Sequence, residues 1–192
     1  YSTHIIIAAG VNYEPLVLNG EIIPNVFNTV DDIPKAAKDQ PAVVIYNQSS
    51  DVNFALDVAK KYKQVYLCTK EIDITKDITK TMAKKLSDAT NIAVLPNTSI
   101  KTVISENGAL QKVELDNYST INCSAIFVKT KFRPAVDFIP KKIIPKDDQG
   151  YLVVSDKAES TLVPKCFAVG NCIQKYTKAM EHKLIDTISK DF

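Results

Sequence analysis

Apolar residues fall in short continuous runs near the start, middle and end of the chain, with alternating segments between them. His4 to Ala9 (His-Ile-Ile-Ile-Ala-Ala) is one such run, closed by Gly10, and it predicts a strand buried on both faces. An irregular stretch follows, broken by Pro15, Gly20, Pro24 and Pro34. Pro41 then opens the apolar strand Ala42 to Ile45. In the run Val52 to Tyr62, Val52 and Leu56 share one helical face with Ala55 or Ala59, and Ser50 or Asp51 stands where a cap belongs. Gln64 to Cys68 reads as a second strand and completes a β-α-β unit.

Asp77 to Leu86 predicts a polar helix, and Asn91 to Leu95 another strand. Ser99 to Ser105, Gly108 to Leu115 and Tyr118 to Cys123 alternate around the turn Glu106-Asn107-Gly108, which is the pattern of an antiparallel meander. Ala125 to Val128 restores an apolar strand. The last third holds Gly150 to Val154, Thr161 to Pro164 and Cys166 to Asn171, then a helix with Met180, Leu184, Ile185 and Ile188 along one side. Neither end makes a domain by itself. The economical arrangement is a Rossmann-like three-layer α/β unit over residues 38–129, inserted in a discontinuous domain made of 1–37 and 130–192.

The point at which such a unit would hold a nucleotide is anomalous. Between the first central strand and its helix the chain reads Tyr46, Asn47, Gln48, Ser49, Ser50, Asp51, with no glycine. A dinucleotide-binding turn needs glycines to curl tightly, to let backbone approach the pyrophosphate and to pack helix on strand. Side chains at these positions predict a blocked loop. Asp51 at a helix N-terminus suits the helix dipole and would repel an arriving phosphate, so a capping role is expected of it.

Composition narrows the function further. Hydrophobic residues make up 45% and charged residues 24% of the 192, as in a globular chain with a packed core. The net charge is +2 and Arg133 is the single arginine, so a nucleic-acid partner is not expected. Apolar runs such as Ile5 to Val11 fall far short of the roughly 20 residues of a membrane span. Cys68, Cys123, Cys166 and Cys172 form no C-x-x-C pair and no metal-ligand spacing, which predicts inert buried thiols, no metal and a cytoplasmic, reducing setting. His4 and His182 have no acid or nucleophile at a recognisable spacing. Glu71 reads as surface charge, and Lys141, Lys142 and Lys146 as a solvated loop. An opening on Tyr1, directly in a strand-like run, predicts a cloned domain, a fragment or a processed product.

The order of these features resembles the pyridine-nucleotide disulfide oxidoreductases, and most closely the low-molecular-weight thioredoxin reductases. His4 to Gly10 resembles the strand that closes that family's first FAD-binding segment, with Ala9 in place of a threonine. Gly150-Tyr151-Leu152-Val153-Val154, followed by Thr161 to Asn171, resembles its last FAD-binding segment, and this is the most specific match. Arg133-Pro134 stands where the family has a turn. The resemblance spans the whole chain and implies a central NAD(P)-binding-type domain inserted in part of an FAD-binding-type domain.

In that family NADPH reduces FAD, FAD reduces a C-x-x-C disulfide, and the dithiol reduces a partner protein. The resemblance therefore also implies what is missing. The N-terminal FAD segment is not in the sequence, and Val26 to Ala42, where the redox pair belongs, has no cysteine. Tyr46, Gln48 and Asp51 occupy the small-residue positions of the nucleotide loop, and Thr69-Lys70-Glu71 replaces the basic pair that grips the 2′-phosphate. Gly10, Gly170 and Asn171 are the FAD-like remnants, Asn171 replacing an aspartate that hydrogen-bonds the flavin. The reading implies FAD in a full-length parent, no NAD(P)H, and no cofactor in the isolated chain. Its activity is expected to be absent, the alternative being a non-catalytic binding or structural module. A homodimer, or pairing with the absent N-terminal segment, is left open, and the last helix is expected to be core with a partial interface.

Overall fold

The five strands that form the main sheet lie in the order β5-β12-β6-β7-β8, all parallel, in a computed structural model that describes residues 4–31, 39–175 and 177–189. They are β5 (Val26–Phe27), β6 (Ala42–Tyr46), β7 (Val65–Thr69), β8 (Ile92–Leu95) and β12 (Ala125–Phe127). Helix α1 (Ser50–Ala59) joins β6 to β7, and α2 (Lys80–Asp88), after a 3-10 turn at Ile74–Lys76, joins β7 to β8. Period-two alternation decides what each face meets. Ala42, Val44, Val65, Leu67 and Phe127 pack with Val52, Ala55 and Val58 of α1. Val43, Cys68 and Ile126 point the other way, onto a second layer.

That second layer is the predicted meander, β9 (Ile100–Glu106), β10 (Ala109–Leu115) and β11 (Thr120–Asn122), with Leu110, Val113, Leu115 and Ile121 turned inward. Asn107 and Gly108 have φ of 51° and 76°, the two left-handed residues of a tight hairpin turn, as the Asn-Gly pair predicts. Helices, parallel sheet and meander make three layers.

The chain divides into two units, Pro15–Thr130 and Tyr1–Glu14 with Lys131–Phe192. The central unit thus takes in residues from Pro15, ahead of the expected start at 38. The reason is pairing across the sequence: β5 lies beside β12, a hairpin of β3 (Val17–Leu18) and β4 (Glu21–Ile22) precedes it, and Ile23 enters the meander-side core. Asn25, at φ 55°, ties these parts together. Its carbonyl accepts from Ile126 N at 3.0 Å, and its Oδ1 accepts from Leu110 N at 2.9 Å. Asn25→Gly keeps the backbone conformation but deletes the side-chain acceptor of a buried N–H, so a loss of about 1–2 kcal/mol is expected in urea unfolding. A change below about 0.5 kcal/mol would show that the bond is dispensable.

The other unit is built on β1 (Ile5–Ile7) paired in parallel with β14 (Cys166–Ala168), and on β2 (Val11–Tyr13) paired antiparallel with β13 (Phe132–Pro134). Arg133-Pro134 is therefore strand, not the turn implied by the resemblance. Gly150 to Val154 contributes isolated bridges, Lys146 with Leu152 and Val154 with Ser160. The core contains Val136, Ile139, Ile144, Leu152, Cys166 and Cys172. One expectation fails here. Ile5 and Ile6 are 53% and 52% exposed, so β1 is not buried on both faces; β14 is its one strand partner among the described residues. In α3 (Lys178–Ile188), Leu184 is buried and Ile185 is exposed, while the Ile188 side chain lies outside the described residues.

Candidate functional site

Strand β6 ends at Tyr46 and α1 begins at Ser50, so Asn47 to Ser49 form the short turn where a nucleotide loop would lie. The N-cap is Ser49, with no side-chain capping bond, which corrects the expectation that Ser50 or Asp51 caps the helix. Asp51 sits one residue inside and reaches backward. Its Oδ2 accepts from the backbone N of Asn47 at 2.9 Å and of Gln48 at 3.0 Å. Its carboxylate is fully buried, and Lys129 Nζ, just beyond β12, lies 3.5 Å from Oδ1 and 3.3 Å from Ser50 Oγ. The loop is thus held shut on an internal carboxylate, with Asn47, Gln48 and Ser50 exposed around it.

A cavity of about 350 Å³ opens at the carboxyl ends of β6 and β7, the edge at which open α/β sheets bind ligands. Tyr46, Asn47, Thr69, Glu71 and Thr98 are among its walls. Thr69 Oγ1 accepts from Glu71 N at 3.0 Å, and Thr98 N donates to the Thr69 carbonyl at 2.7 Å, so these walls are braced internally. Tyr46 is 6% exposed and its hydroxyl has no hydrogen-bond partner among the described residues. Burial, and after it the carboxylates of Asp77, Asp51 and Glu71, push its phenol pKa up, so the proton stays on.

The FAD-like residues meet at the ends of a different strand pair. Ile7 of β1 lies opposite Ala168 of β14, and Val169 N donates to the Ile7 carbonyl at 2.9 Å, which brings Gly10 and Gly170 to neighbouring strand ends. Their φ values of 69° and 74° are ones that residues with a Cβ rarely adopt. Asn171 is exposed in the 3-10 turn Gly170–Cys172 and lines a cavity of about 180 Å³ with Tyr13, Phe132 and Tyr151.

All four cysteines are free and buried. Burial pushes Cys68 and Cys123 up to about 12, and Cys166 is also raised by burial. Cys172 Sγ donates to the Val169 carbonyl at 3.0 Å. His4 stacks on Phe167, with ring centroids 6.0 Å apart, while His182 is exposed on α3. Lys146 is not simply solvated: its Nζ donates to the Val136 carbonyl at 2.6 Å, whereas Lys141 and Lys142 are exposed. Among the described residues no group of His, Cys, Asp and Glu could hold a metal ion, and no helix is long and apolar enough to cross a membrane. The sequence reading missed Lys129 and the backward reach of Asp51; an acid just inside the helix after a glycine-free loop was the signal available.

A family model described as pyridine nucleotide-disulphide oxidoreductase matches residues 1–170. No curated protein matches. The solved thioredoxin reductase of Streptococcus pyogenes MGAS5005 is similar at TM-score 0.64 and 17% identity, covering 98% of this chain and 66% of its own. That of Lactococcus lactis gives 0.66 and 20%, covering 96% and 62%, and that of T. acidophilum gives 0.69 and 16%, covering 98% and 67%. At these identities the likeness is one of fold. The chain spans under two thirds of the length of the first two.

Proposed function

The chain belongs to the pyridine nucleotide-disulphide oxidoreductase family, and we propose that it is the C-terminal portion of a thioredoxin reductase-like FAD/NAD(P) oxidoreductase that does not itself perform the dithiol–disulfide reaction. The disposition of its thiols carries this reading. Disulfide exchange needs an accessible thiolate, and every cysteine of this chain is buried. FAD belongs to a full-length parent, NAD(P)H is not bound, and the isolated chain works without either. In a longer parent, Gly10, Gly170 and Asn171 would contribute part of a flavin site.

The half-exposed Ile5 and Ile6 support a partner for β1 and β14, either the N-terminal FAD segment of a longer parent or a second copy of the chain. Four free thiols fit a cytoplasmic setting. A second reading, a binding or structural module that has kept only the scaffold, is favoured by the carboxylate that closes the β6–α1 loop.

The test combines the chain with FAD, NADPH and the chromogenic disulfide DTNB. The expected result is no reductant-dependent turnover and no thiol titre in the folded state, rising to four equivalents per chain after denaturation. Sustained DTNB reduction at the expense of NADPH would sink the proposal. A full-length parent that purifies colourless and ignores added FAD would favour the second reading over the first.

A further inference from the structure

Two backbone donors of the β6–α1 loop, those of Asn47 and Gln48, are in use. Asp51 Oδ2 takes the N–H groups of Asn47 and Gln48, at 2.9 and 3.0 Å, and Lys129 Nζ stands 3.5 Å from Oδ1. Backbone donors at a helix N-terminus together with an ammonium group are what binds a phosphate or sulfate in proteins. The anion in this site is the chain's own side chain. It is fully buried, and its Oδ1 makes no hydrogen bond among the described residues, so the ion pair with Lys129 is what balances that oxygen. The 350 Å³ cavity reaches the same loop at Asn47, and Tyr46, whose buried hydroxyl has no partner among the described residues, is one of its lining residues.

We propose that Asp51 is a tethered occupant of an oxyanion-binding site formed by Asn47 N, Gln48 N and Lys129 Nζ, and that its carboxylate excludes phosphorylated ligands from the adjoining cavity. A free oxyanion would have to displace a carboxylate that is held at effectively high local concentration, because it is attached to the helix. It would also approach a like charge. Deleting the carboxylate removes both obstacles while leaving the two amides and the ammonium behind. The inference stands whether or not the chain is part of a larger oxidoreductase, since it concerns one loop and its ligand class.

The experiment uses inorganic pyrophosphate at constant ionic strength as the probe, and the backbone amide resonances of Asn47 and Gln48 as the readout. The native chain is expected to show no saturable shift at either amide. Asp51→Ala is expected to show saturable shifts at both, with half-saturation at least tenfold below any weak response of the native chain. Asp51→Ala combined with Lys129→Gln should lose most of that gain. Asp51→Asn keeps an acceptor on the loop and should remain closed. Equal responses in Asp51→Asn and Asp51→Ala would mean that charge alone excluded the anion, and would overturn the occupancy proposed here. So would a folded Asp51→Ala chain whose amides ignore pyrophosphate. If Asp51→Ala is too unstable for spectra, its melting temperature should rise with pyrophosphate while that of the native chain does not, because a ligand that binds only the folded state stabilises it. The same melting response in both chains, or none in the variant, overturns the proposal.

Discussion

Phe127→Ala is expected to lower the stability of the Pro15–Thr130 unit by about 3–5 kcal/mol, the largest effect of any single core substitution proposed for this chain. Phe127 is fully buried in β12, and its ring is met by Phe27 at 5.5 Å, Phe54 at 5.8 Å and Tyr62 at 5.5 Å between centroids. The last two contacts are edge-to-face, the arrangement that places the positive rim of one ring against the negative face of another. Truncation therefore removes the transfer energy of a large side chain and leaves three rings around a void. Neighbouring side chains anchored on β5, β6 and α1 have little freedom to close it. Phe127→Leu, which retains most of the volume, should cost markedly less. The check is the urea midpoint at constant m-value; a loss under about 1.5 kcal/mol for the alanine variant would show that the cluster collapses freely.

Raising the pH is expected to destabilise the fold through Cys68 and Cys123. Both thiols stand at about 12 in the folded chain against an ordinary 9.0, with burial the leading cause in each and the neighbouring Cys123 adding to the effect on Cys68. A thiol held neutral by burial contributes stability that is fully present below pH 9.0 and is lost as the pH climbs toward 12. In that window the unfolded chain releases protons that the folded chain retains, at about 1.4 kcal/mol per pH unit for each thiol. Between pH 9 and pH 10 the native chain should thus lose about 2 kcal/mol more than a Cys68→Ala/Cys123→Ala variant, read from urea unfolding at each pH. Parallel losses in the two proteins would show that the thiols ionise without unfolding. The same energetics explain why neither cysteine is suited to redox exchange: the thiolate has no place in the core that holds it.

The parts of the fold that were legible in the sequence are those decided by neighbours. Ala42 to Ile45 is an apolar run because β6 is covered on both faces, and Val52 with Ala55 shows the helical period because α1 is covered on one. Asn107-Gly108 forms a turn by its own backbone preferences. What escaped was decided by distant residues. A two-residue strand such as Val26–Phe27 carries no periodicity, and only its pairing with Ile126 and Phe127 gives it a place in the sheet. Ile5 and Ile6 read as core because an apolar run does not encode how many strands or layers the fold sets beside it. For the loop the missing glycines were visible, but the identity of the group that replaces the phosphate was not. A helix-capping pattern and a backward-reaching carboxylate differ by rotamer and burial, which residue spacing does not encode.

The order β5-β12-β6-β7-β8 also constrains how this unit can assemble on a ribosome. Strand β12 is synthesised last but occupies an inner position, between β5 and β6, with Phe127 at the centre of the aromatic cluster. Roughly 80 residues must follow β6 before that slot is filled, which at about 5–20 residues per second is on the order of several seconds. Throughout that interval β6 presents an open strand edge to solvent or to a chaperone. Completion of the sheet is thus a late, long-range event of translation.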